Sequence, residues 1–183
     1  MLGSIIPARL IRAFGLIQPE LESFICIVLE RLSTNMGGHP YFYSVAYEAD
    51  ANSALQKLRQ REFQAGRYNP AIMFPEFPVD ESVEGDGPQH GSLEEAWAAA
   101  GADGTRSILD LMSVADEADF LVARRLRAEE LMTFFGTDKP TEKDIQASFY
   151  ELLDTIERGQ GICFTVYDND TPHELVFAGY SFD

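Results

Sequence analysis

Basic residues are scarce in this chain. Only 14 Lys and Arg stand against 30 Asp and Glu among 183 residues, a formal charge of −16 at pH 7. Such a surface repels nucleic-acid phosphates and anionic lipid and attracts basic partners at moderate salt. Direct nucleic-acid or membrane binding is therefore not expected. Cysteine is nearly missing too: Cys26 and Cys163 are the only two, whereas secreted disulfide scaffolds carry more, in pairs. An intracellular, cytoplasmic setting follows. Long apolar runs are also lacking. Ile5, Ile6, Leu10, Ile11, Phe14, Leu16 and Ile17 are interrupted by Pro7, Arg9 and Arg12, which spoils a secretory signal, and no stretch supplies the roughly 20 apolar residues of a membrane span.

The usual chemical signatures are missing as well. There is no Gly-x4-Gly-Lys phosphate loop, strand-borne Gly-x-Gly-x-x-Gly, Cys-x-x-Cys, His-Glu-x-x-His or Gly-x-Ser-x-Gly elbow. Gly85-Asp86-Gly87 would set carboxylates against a phosphate, and Asp168-Asn169-Asp170 lacks the further acids and terminal Glu of a calcium loop. His39, His90 and His173 share no spacing that preorganises a metal. No cofactor or metal is expected.

What is present is unevenly distributed. Residues 1–35 carry three Arg and three Glu, so the whole formal charge belongs to residues 36–183. We expect 1–35 to be an N-terminal extension, from an upstream start or otherwise added, with an amphipathic helix over about 19–32 built on Leu21, Phe24, Ile25, Val28 and Leu32. Residues 36–183 should form one acidic α+β domain: a mainly antiparallel sheet, helices packed on one face, and a C-terminal β-hairpin.

The pattern along that domain is regular at its ends. Tyr41, Tyr43, Val45 and Tyr47 alternate with other residues in the period of a strand. Asp50 caps a helix over Ala51–Ala65, stopped by Gly66, and its Lys57, Arg59 and Arg61 are expected on a solvated face. Ser107–Val114 leans to strand, with a second strand in the run Phe120, Leu121, Val122 and Leu126. Glu129 and Glu130 open a helix ending before Gly136, and Thr141 with Asp144 caps one whose buried stripe is Ile145, Phe149, Leu152 and Ile156. Ile162–Tyr167 and Leu175–Phe182 should pair across a connection from Asp168 to His173. Both strands are apolar on both faces, so both faces need cover.

Between Tyr68 and Thr105 no basic residue occurs, while Glu76, Asp80, Glu81, Glu84, Asp86, Glu94, Glu95 and Asp103 all do. Pro70, Pro75, Pro78 and Pro88 make much of this a long loop, and Phe74, Phe77 and Val79 can pin it. Ser92 and Glu95 then cap a short helix that carries Trp97, the single tryptophan. The expected partner-binding residues are Glu76, Asp80, Glu81, Glu84, Asp86, Glu94, Glu95 and Trp97, and the expected partner is a basic protein, docked without catalysis, with its neutralisation as one consequence of docking. Two alternatives come from other classes. One is a small hydrolase or transferase using carboxylates such as Asp110, Asp116, Glu117 or Asp119 in a pocket over the sheet. The other is a structural subunit of a homo-oligomer. Cys163 with His173 is not expected as a nucleophile and base, because hairpin pairing separates them along the strand. The Arg124-Arg125-x-Arg127 cluster reads as salt-bridged surface.

Overall fold

The computed structural model describes residues 38–80, 82 and 85–182. The chain divides into Met1–Met36 and Gly37–Asp183. The expected extension over 1–35, with its helix at about 19–32, lies outside the described residues, as do Glu81 and Glu84.

One sheet organises the second unit. Strands β1 (Pro40–Ala46), β2 (Ser113–Ala115), β3 (Val122–Arg125), β4 (Gly161–Asp168) and β5 (Thr171–Tyr180) lie in the order β1-β5-β4-β3-β2. β5 is antiparallel to β1 and β4, while β4 with β3 and β3 with β2 are parallel. The class is α+β, with the long pairings antiparallel and the C-terminal hairpin in place. The hairpin turn is tighter than expected: Asn169 (φ 48°) and Asp170 (φ 62°) alone form it, two residues that tolerate the left-handed region a two-residue turn requires. Pairing thus reaches Asp168↔Thr171, with a register shift at Val166/Tyr167.

The helices are α1 (Ala51–Ala65), α2 (Leu93–Ala100), α3 (Ala128–Phe135) and α4 (Glu142–Leu153). They do not share one face of the sheet, as the sequence suggested. Successive strand residues point to opposite faces. Tyr41, Tyr43, Cys163, Leu175 and Phe177 pack with Leu55, Leu58 and Phe63 of α1, whereas Phe42, Ile162, Phe164, Val166, Val176, Ala178 and Tyr180 pack with α3 and α4. The apolar hairpin is covered on both sides by this chain itself. At Gly179 the cover is so close that an added Cβ would stand 2.7 Å from the Tyr41 hydroxyl and 2.8 Å from the Gln160 carbonyl oxygen.

The stretch 107–126 also differs from expectation. Ile108–Asp110 is a short 3-10 turn, and strand begins only at Ser113. Side chains close that turn locally: Ser107 Oγ accepts from Leu109 N (3.3 Å), and Asp110 Oδ1 accepts from Thr105 N (2.8 Å) and Thr105 Oγ1 (2.9 Å). Such bonds offer the backbone an alternative to the ladder. α4 ends at Leu153 yet Ile156 is still buried beyond it. Among the described residues no helix is long and apolar enough to cross a membrane.

Candidate functional site

Segment 68–92 is a long connection held at its base and lifted at its crest. Tyr68 is fully buried, and its hydroxyl shares a hydrogen bond with His90 Nδ1 (2.9 Å) while accepting one from Gln89 N (3.2 Å). One phenol thereby joins the two ends of the segment. Asn69 donates from its backbone to Thr105 O and from Nδ2 to Gly104 O, both at 2.8 Å. Gly85 lies against the end of α1 so closely that a side chain there would collide with the Ala65 carbonyl.

The crest is held just as firmly. Ile72 N donates to Tyr68 O (2.8 Å), Arg106 Nη1 to Met73 O (2.8 Å), and His39 Nε2 to Pro75 O (2.9 Å). The Arg106 guanidinium also sits 4.5 Å from the centre of the Phe74 ring, within cation–π range. Arg106 adopts φ 53°, a left-handed conformation that costs a non-glycine residue roughly 1–2 kcal/mol. Phe77 packs edge-on at 5.2 Å from Tyr43, and Val79 joins the same core. Phe77 and Val79 pin the loop as expected; Phe74 touches Arg106 and lies 6.0 Å from the His39 ring, yet remains mostly exposed. The consequence is an apolar crest in water: Met73 is 66% exposed, Phe74 58% and Ile72 39%.

The acidic residues fall into three groups. Glu76 and Asp86 are exposed, and Asp86 shares a surface cleft of about 400 Å³ with Ile72, Ala71, Pro70, Gly66 and Gln89. Asp80 is exposed and accepts from the hydroxyl (2.6 Å) and N–H (2.9 Å) of Ser82, which hold its carboxyl below its ordinary range. Glu94 and Glu95 serve the start of α2. Glu94 is lowered first by its own backbone N–H and then by Ser92, with Arg59 adding a smaller pull. Glu95 Oε2 accepts from Gly91 N (2.9 Å), while Ser92 Oγ accepts from Glu95 N (3.2 Å), so the cap uses the expected pair but closes one residue earlier. Trp97 is half-buried, 6.4 Å from the Phe182 ring, in a different aromatic group from Phe74 and Phe77. Glu81 and Glu84 lie outside the described residues.

No family model matches this chain, and no curated protein or solved structure matches it. The chemistry therefore rests on the geometry alone.

The alternative carboxylates do not converge. Asp110 is fully buried against Thr105, while Asp116, Glu117 and Asp119 are exposed on the connection between β2 and β3. Cys163 is packed in the core, its thiol pushed up to about 12 by burial, and His173 is exposed on β5 near the turn. No group of three His, Cys, Asp or Glu side chains among the described residues could hold a metal.

The basic face expected on α1 is partly internal. Arg59 is 8% exposed, and Glu62, unremarked in the sequence, is fully buried between Arg61 Nε (2.9 Å) and Arg67 Nε (2.7 Å). Burying a carboxylate is tolerable because two guanidiniums converge on it. The sequence also missed Ile72 and Met73, whose exposure depends on the Arg106 clamp across 33 residues. Of the arginine trio, Arg124 and Arg127 share Glu130 as expected, but Arg125 does not.

Proposed function

We propose that the protein is a non-catalytic binding protein of the cytoplasm that docks, and thereby neutralises, a basic protein partner through segment 68–92. The crest Ile72-Met73-Phe74 is the anchor, with the exposed Glu76, Asp80 and Asp86 of the same segment as its acidic rim. The observation that carries this reading is an exposed Met73 and Phe74 on backbone fixed by Arg106 and His39. Methionine and aromatic residues are enriched at the cores of interfaces, and a crest already held in place loses little conformational freedom on binding. An acidic rim adds steering and partner choice more than raw affinity. Glu94 and Glu95 contribute to the same negative field from the helix start.

The test is affinity capture with the full-length chain at about 0.1 M and about 1 M salt, where screening lengths fall from about 10 Å to about 3 Å. A basic protein should be retained at low salt and released at high salt, and the variant E76Q/D80N/E81Q/E84Q/D86N should retain far less of it. Equal retention by the variant would remove the acidic rim from the account. A chain that captures only further copies of itself would favour the homo-oligomeric subunit.

A further inference from the structure

The opposite end of α1 carries a second, chemically different feature. β3 stops at Arg125 whereas its neighbour β4 continues to Asp168. The ladder between them ends at Arg125↔Cys163, with Leu126 N donating to Cys163 O (3.0 Å). Beyond that step a cleft of about 300 Å³ opens, with Leu126, Leu131, Phe164 and Leu175 among its apolar walls and Tyr47, Thr165 and Tyr167 among its polar ones. This is the small end of the range for ligand pockets, roughly 300–1,000 Å³, and its walls offer both apolar and polar groups. β1, β3 and β4 run in the same direction, and the cleft lies at the carboxyl ends of β1 and β3.

Charge decides what it could hold. Two charged side chains line it, Glu48 and Arg125. Lys57 Nζ contacts both Glu48 carboxylate oxygens, at 2.7 and 2.9 Å, and neutralises that group. Arg124 and Arg127, by contrast, have taken Glu130, at 2.8 and 3.3 Å. Arg125 is left without a carboxylate: its guanidinium makes neither a hydrogen bond nor an ion pair with the described residues. In a protein of charge −16, an arginine that finds no carboxylate and faces a cleft marks a local reversal of sign.

We propose that this cleft binds a small organic anion, a carboxylate or phosphate monoester with an apolar body, whose charged end is taken by the Arg125 guanidinium and whose body lies on Leu126, Leu131 and Leu175. The planar fork of arginine suits either anion. The site is independent of the docking crest: Ala51, the first residue of α1, lines this cleft and Gly66, just past its last, lines the other, about 22 Å apart along the helix.

The experiment is a titration of the full chain, followed by amide NMR, with three probes: benzoate, its neutral analogue benzyl alcohol, and inorganic phosphate. Benzoate should shift resonances of Tyr47, Arg125, Thr165 and Tyr167 saturably. Benzyl alcohol, lacking the charge, and phosphate, lacking the body, should each bind more weakly. R125M should lose at least about tenfold in benzoate affinity, the worth of a charged hydrogen bond, and R125K should fall between. Unchanged resonances away from the cleft report that R125M is folded; were it not, the benzoate to benzyl alcohol ratio in the unaltered chain and in R125K decides. Shifts that do not saturate, that lie outside the cleft, or that are equal for benzoate and benzyl alcohol would overturn the proposal.

Discussion

The two faces of the sheet are built from different materials. On the α3 and α4 face the buried cluster is apolar throughout, from Leu131 and Phe149 to Val176 and Ala178, apart from the Tyr180 phenol. On the α1 face the same depth holds Arg59, Glu62, Asn69, Thr105, Arg106, Ser107 and Asp110, with Tyr41 and Tyr43. Apolar packing tolerates approximate fits, whereas a buried polar group is stable only if its partners are in place. The polar face is therefore the one whose geometry hydrogen bonds do most to specify, the Tyr41 hydroxyl excepted, and it is the face from which the long acidic segment is held. A segment with so few strand or helix bonds of its own needs such partners for its backbone. The difference teaches that the α3 and α4 face supplies stability while the α1 face fixes a shape.

The comparison breaks most readily at Glu62. Replacing it with Ala removes the buried carboxylate that Arg61 and Arg67 share and should cost about 3–5 kcal/mol in chemical denaturation. Leu152→Ala on the apolar face leaves only a cavity and should cost about 2–4 kcal/mol. The distinguishing readout is salt: high salt should change the cost of Glu62→Ala and leave that of Leu152→Ala alone.

Acid offers a third test, at the rim of the apolar face. Glu130 is held down to about 2, chiefly by its hydrogen bond from Arg124 and then by the Arg127 N–H. Its ordinary value is 4.5, so its contribution is present above about pH 4.5 and is lost as pH falls from there toward about 2. With the carboxylate only 22% exposed but still screened by solvent, the loss should amount to about 1–2 kcal/mol. Glu130→Gln should flatten stability across that window and leave its slope near pH 7 unchanged. A slope between pH 5 and pH 2 identical to that of the unaltered chain would show that Glu130 does not carry it.

Arg106 sharpens the comparison at smaller cost. Arg106→Ala removes the bond to Met73 O and the contact with Phe74, while the left-handed backbone it occupies remains unfavourable for Ala. Stability should fall by about 1 kcal/mol. Hydrogen exchange at Ile72 and Met73 should accelerate, with β4 and β5 unaffected.

These contrasts also account for what could be read from the chain alone. β1, α1, α3, α4 and the hairpin announce themselves through local periodicity and local caps, such as Asp50 accepting from Asn52 N and Thr141 with Asp144. Ile108 and Leu109 look like strand because an apolar run fits a buried strand as well as a turn, and the bonds of Thr105 and Ser107 that bend them into a turn, though local, leave no mark on the apolar pattern. The division of helices between two faces was foreshadowed by strands apolar on both sides, but nothing local assigns α1 to one and α3 with α4 to the other. At the candidate site the acids were plain, since composition reveals them. The exposed crest was not, because Met73 and Phe74 look like ordinary core residues until Arg106 is seen to bond the Met73 carbonyl and touch the Phe74 ring.

The most direct measurement is whether the full chain and the double variant M73S/F74S capture a basic protein, with stability measured in parallel. Both side chains are mostly in water, so unfolding free energy should change by no more than about 0.5 kcal/mol, while partner retention should fall at least about tenfold. Undiminished retention by a variant of unchanged stability would contradict the docking crest.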